Sequence, residues 1–105
     1  MDDTLTLEQR ILVRAAELIN IRENWIKGAY HEGARYCAVG AIELAAKETG
    51  CVCNGKIGSV KYRVKKHIPN DGQCIEDFND DPLTTYEDVK ELFCKAVKAE
   101  LGDKA

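Results

Sequence analysis

No stretch of this 105-residue sequence approaches the roughly 18 consecutive apolar residues that a membrane-spanning helix requires. Internal repeats and low-complexity segments are also missing, which excludes solenoids and disordered linkers. There is no glycine-rich phosphate loop and no convincing acid–base pair, so the usual nucleotide and general acid–base chemistries find no footing. The opening Met-Asp-Asp-Thr is acidic and lacks the basic-then-apolar order of an export signal, and a cytoplasmic protein without a membrane segment is expected. A net charge of −3 makes nucleic acid and anionic membrane poor partners.

What is present suits one packed domain over residues 1–105: 45% hydrophobic and 31% charged residues, enough apolar mass for a single core. Five cysteines, Cys37, Cys51, Cys53, Cys74 and Cys94, form an odd set. With no export signal they point to reduced thiols or a metal rather than a disulfide framework. Charge is unevenly spread. Lys56, Lys61, Arg63, Lys65 and Lys66 have no acid among them over residues 55–69, whereas residues 76–91 hold seven acids against Lys90. The two segments are expected to attract each other or to face water.

Periodicity reads as helices. Thr6-Leu7-Glu8-Gln9 forms a capping box, and Ile11, Leu12, Ala15, Ala16, Leu18 and Ile19 carry the apolar face of a helix from about Leu7 to Arg22. Residues 24–33 lose that period and are punctuated by Gly28 and Gly33, with Trp25 and Tyr30 folding the loop back on the core. A second, nearly all-apolar helix is expected over about residues 34–49, ended by Gly50. Asn54-Gly55 signals a small hairpin, and Ser59 a third helix whose Val60, Val64 and Ile68 make a narrow stripe ended by Pro69. Ile75 and Phe78 share one side of a short turn, and Asn79-Asp80-Asp81-Pro82 is a turn. Thr84 or Thr85, with Glu87 or Asp88 at the matching third position, caps a last helix whose stripe runs from Tyr86 to Leu101. The fold class is all-α: about four helices around a central buried one.

Three constellations could carry chemistry. Cys37, expected in the first turn of the second helix and two residues after Arg35, is placed where a helix N-terminus and a cation favour thiolate. Its candidate bases are His31 and His67, with Asn79 as orienting amide; the plain alternative is a small buried residue. Gly40, expected mid-helix, marks either a close helix crossing or a site where a ligand or loop nears the backbone. Cys51, Cys53, His67 and Cys74 are the nearest approach to a zinc site, but Cys-x-Cys is tighter than the usual spacing. The basic helix around Tyr62 is a weak nucleic-acid footprint.

Trp25-x-Lys27-Gly28-Ala29-Tyr30, Arg35-Tyr36-Cys37-Ala38-Val39-Gly40-Ala41-Ile42, Phe78-Asn79-Asp80 and Thr85-x-x-Asp88-Val89-x-x-Leu92-Phe93-x-x-Ala96 come in that order. Together they resemble an uncharacterised family of small helical proteins of bacteria and their phages, a domain of unknown function. The resemblance implies that Trp25, Gly28, Tyr30, Cys37, Gly40, Asn79 and Asp80 form one constellation, to which Arg35 adds a charge. It also implies that Cys51, Cys53 and the basic helix lie in a variable region. The chain lacks the longer insert that many such proteins carry before the cysteine helix. The expected function is a non-enzymatic protein-interaction module, phage- or mobile-element-linked, without cofactor, as a monomer or as a homodimer through the third helix's stripe. The alternative is a cysteine-dependent enzyme or small-ligand site at the N-terminus of the central helix.

Overall fold

A computed structural model of the chain describes residues 5–28, 31–33, 35–50, 54–69 and 72–102. Among these, five α-helices pack around one apolar cluster: α1 (Leu7–Ile19), α2 (Ala38–Glu48), α3 (Asn54–Lys65), α4 (Ile75–Asp80) and α5 (Tyr86–Leu101). A 3₁₀ turn covers Arg22–Asn24, and two-residue strands β1 (His31–Glu32) and β2 (Arg35–Tyr36) pair antiparallel. α2 is buried along most of its length, and α1 joins it at the centre, packing against α2, α3 and α5.

The predicted capping box of Thr6 with Gln9 is present, and of the pairings open at the last helix the structure has Thr85 with Asp88. Each satisfies two backbone N–H groups at its helix start, and Gln9 additionally donates to the Glu100 carbonyl at the far end of α5. Gly50 ends α2 at a φ of 81°, in the left-handed region that favours glycine.

Four local expectations are overturned by contacts distant in sequence. α1 stops at Ile19 rather than Arg22, because the Asn24 side chain donates to the Leu18 carbonyl (3.1 Å) and the Tyr86 hydroxyl to the Ile19 carbonyl (2.6 Å). Its last carbonyls are thus satisfied without a further turn. α2 starts at Ala38, four residues later than expected. Arg35 and Tyr36 are held extended by β1 and by the Ile26 amide, which donates to the Tyr36 carbonyl at 3.1 Å. Ala34, where the second helix was expected to begin, lies outside the described residues.

Asn54-Gly55 opens a helix instead of a hairpin, and Ser59 sits inside α3, accepting from Arg63 rather than capping. Ile57, Val60 and Val64 extend one apolar stripe backwards through the start of α3, and its burial outweighs the local turn preference. That stripe faces the core, so it is not a free surface for a second copy. Gly58 is exposed on this helix, and a methyl group added at its Cα would meet nothing within 4 Å. Replacing Gly58 with alanine should therefore stabilise the fold by about 0.5–1 kcal/mol, read as a higher urea midpoint; a lower midpoint contradicts the helix.

The charge segments also find other partners than expected. Lys56 pairs with Glu8 (3.2 Å), Lys61 with Glu43 (3.3 Å) and Arg63 with Glu100, so the basic run is knitted to α1, α2 and α5 instead of to residues 76–91. Three of the run's five basic residues are thereby paired with acids. No helix among the described residues is long and apolar enough to cross a membrane.

Candidate functional site

Asn79, at the end of α4, is fully buried, and both faces of its amide are occupied. Its Oδ1 accepts from the Trp25 indole (2.6 Å) and from the Ala38 amide (3.1 Å). Its Nδ2 donates to the Ile26 carbonyl (3.1 Å) and to Asp80 Oδ1 (3.0 Å). An amide is the one neutral side chain able to present two acceptor and two donor directions in so small a volume. Asp80 Oδ1 accepts from the Gly28 amide (2.8 Å), where a φ of 82° suits glycine, and Lys27 Nζ donates to the Asp81 carbonyl (2.6 Å). Four consecutive residues, Trp25 to Gly28, are thereby tied to Asn79, Asp80 and Asp81. Trp25 also leans on Tyr86, with ring centroids 6.0 Å apart, and the Arg22 guanidinium lies 4.7 Å from the centre of the Tyr86 ring.

Cys37 is the N-cap of α2, not part of its first turn, and its Sγ accepts from the Gly40 amide at 3.3 Å. Gly40 is accordingly the third residue of α2 and not a mid-helix defect. The donors at this helix start are used internally: Ala38 N–H by Asn79, Gly40 N–H by the thiol. Burial pushes the Cys37 thiol up by more than the Gly40 and Val39 amides pull it down, and the Asp80 and Glu76 carboxylates add to the rise. Arg35 is exposed and paired with Glu32 (3.2 Å), so the cation expected to activate the thiol is engaged elsewhere. His67 is not bonded to the thiol; its buried Nε2 has no partner among the described residues. The His31 side chain and Tyr30 lie outside the described residues.

The structure thus brings together Trp25, Gly28, Cys37, Gly40, Asn79 and Asp80, and leaves Arg35 out. Cys37 and Asn79, at the centre of this set, are buried, while Gly28 and Asp80 are exposed. A thiol with a raised pKa and only 4% exposure is a poor nucleophile, so Cys37 lacks the activation expected of it at a helix N-terminus. Iodoacetamide labelling followed by peptide mapping should modify the exposed Cys94 well before Cys37 at pH 7–8. Because the folded thiol's pKa is raised, its contribution to stability is complete below the unfolded value of about 8.5 and is lost as pH rises through the folded one. Faster labelling of Cys37 than of Cys94 at neutral pH contradicts this picture.

Of the four residues nearest a zinc pattern, Cys51 and Cys53 lie outside the described residues, while Cys74 caps α4 and His67 follows α3. Among the described residues no group of three or more His, Cys, Asp or Glu side chains converges to hold a metal.

Among the described residues, two of the hollows that open on the surface are well formed. One, of about 250 Å³, is lined by His67, Phe78, Asp81, Leu83, Asp88 and Glu91 among others. Its acids are already engaged: Asp81 accepts from the Leu83 amide (2.9 Å), Asp88 from the Thr85 amide (2.9 Å), and Glu91 pairs with Lys95 (3.7 Å). The other, of about 290 Å³, is a groove between α1 and α5 with Val13, Ala16, Phe93 and Val97 as its apolar lining and Cys94 at its edge. Sequence reasoning missed this groove. Its signal was Val13, an apolar residue off the main stripe of α1, facing the row Lys90, Cys94 and Lys98 spaced four apart on α5.

A model of a protein family described as "Family of unknown function (DUF6197)" matches residues 3–99. No curated protein and no solved structure matches the chain.

Proposed function

We propose that this chain, which belongs to the DUF6197 family of unknown function, acts as a non-enzymatic protein-interaction module that docks a partner in the groove between α1 and α5. The observation that carries this reading is the groove itself. It is a concave, mostly apolar surface between two helices whose main stripes are buried in the core, and helix-lined grooves of this kind receive amphipathic segments. The polar constellation around Asn79 supports the same reading from the other side, since its hydrogen-bonding capacity serves to hold the loop at Trp25–Gly28 against α4. The setting we propose is cytoplasmic and bacterial or phage-linked, on the strength of the sequence resemblance.

Selection of displayed helical peptides against the intact protein tests this. Enriched binders should lose affinity for Val13→Lys and Val97→Lys variants whose melting remains near parental, and keep it for Leu83→Lys, which alters the other hollow. No enrichment, or binders indifferent to both groove variants, overturns the reading.

A further inference from the structure

The groove carries a charge sign as well as an apolar floor. On the α5 side its rim holds Lys90 and Lys98, both exposed, and neither has a hydrogen-bond or ion-pair partner among the described residues. On the α1 side the rim holds neutral Asn20 and Glu17, whose carboxylate is already paired with Arg14 at 3.2 Å. The other basic groups nearby are spent: Lys95 sits within 3.7 Å of Glu91, and Arg22 pairs with Glu87. A chain of net charge −3 thus places two unspent positive charges along one edge of its apolar groove. Eight residues of helix separate them, about 12 Å at 1.5 Å per residue.

We infer that the groove's occupant is an acidic amphipathic helix of another protein, which lays an apolar stripe on the half-buried Val13, Ala16 and Val97, above the enclosed Phe93 ring, and sets two carboxylates, seven or eight residues apart, against Lys90 and Lys98. This rests on the reading of the groove as a docking surface and adds the chemistry of what docks there. Apolar contact supplies most of the affinity, while the lysines choose partner and register, because a cationic helix in the same place meets like charge at both ends. A second copy of this chain is a less favourable occupant, since a two-fold contact through this face sets the same lysine-bearing edge in both subunits.

Two synthetic helical peptides test it. They share one apolar stripe and differ only at two flanking positions eight apart, glutamate in one and lysine in the other. Affinity is read by fluorescence anisotropy, and occupancy of the groove by protection of Cys94 from alkylation, the thiol lying at its edge. The glutamate peptide should bind, protect Cys94 and weaken with salt, and the lysine peptide should bind about 5-fold or more weakly, as two exposed ion pairs allow. A double variant, Lys90→Glu with Lys98→Glu, changes only exposed side chains and should reverse the order of the two peptides. Equal binding of both peptides, with Cys94 protected, overturns the acidic partner while leaving the groove a docking surface. Binding by neither, together with a failed display selection, removes both readings. Concentration-dependent dimerisation in sedimentation, abolished by the double variant, makes a second copy the occupant and overturns the inference.

Discussion

Replacing Asn79 with leucine should cost about 3–5 kcal/mol and lower the melting temperature by roughly 15–25 °C. Leucine matches the size of the amide but returns none of its bonds. The Trp25 indole N–H, the Ala38 amide and the Ile26 carbonyl each lose a partner. A buried polar group left unmatched costs about 1–3 kcal/mol, and the total is held below three such penalties because Trp25 and Ile26 are only half-buried and can reach water. The damage should be local at first. Trp25 is the only tryptophan, so its emission reports release of the 25–28 loop directly, ahead of global unfolding. Asp80→Ala is the natural contrast. Its carboxylate is exposed, the Gly28 amide it accepts from can turn to solvent, and Asn79 Nδ2, its other donor, keeps the Ile26 carbonyl, so a loss near 1 kcal/mol is expected. An Asn79→Leu protein as stable as the parent would mean that the amide is replaceable and that the loop is held by packing alone.

Phe93→Ala should be comparably severe, at about 3–5 kcal/mol, a large share of the roughly 5–15 kcal/mol that holds such a domain together. Among the described residues Phe93 is the largest side chain to be almost wholly enclosed, at 1% exposure, and it sits where α5 meets α1. The same ring lines the groove, so its loss opens a cavity that joins the proposed docking surface. The expected measurement is a lower denaturant midpoint with an unchanged slope, together with loss of peptide binding. Leu83→Ala, at a position 87% exposed, should leave stability within about 0.5 kcal/mol. If Phe93→Ala costs less than about 1 kcal/mol, the α1–α5 contact is looser than its burial indicates and the groove lacks a fixed floor.

The candidate site was partly legible in the sequence. The family resemblance implied one constellation of Trp25, Gly28, Tyr30, Cys37, Gly40, Asn79 and Asp80; all but Tyr30, which lies outside the described residues, do meet in space. Their roles were not legible. A buried asparagine and a turn asparagine have the same letter, and only the positions of Trp25 and Ala38 show that Asn79 is spent on structure. The same holds for Cys37, whose thiol is set by burial and by the Asp80 and Glu76 charges rather than by its neighbour Arg35. The groove was illegible for a different reason: its two rows, from Val13 to Asn20 and from Lys90 to Lys98, become a surface only when α1 and α5 are laid side by side.

By itself the sequence determined the all-α class, the capping box at Thr6, the faces of α1 and α5 and the stop at Gly50. Each of these depends on bonds or sterics spanning about four residues, and such interactions are fixed by local order. Tertiary structure alone decided that Asn54-Gly55 would enter a helix, that Arg35-Tyr36 would be extended, and that the lysines of α3 would pair with Glu8 and Glu43 and its Arg63 with Glu100. In those cases local preferences differ by only about 1 kcal/mol, and burial of an apolar stripe or satisfaction of a backbone group by a residue far along the chain outweighs them.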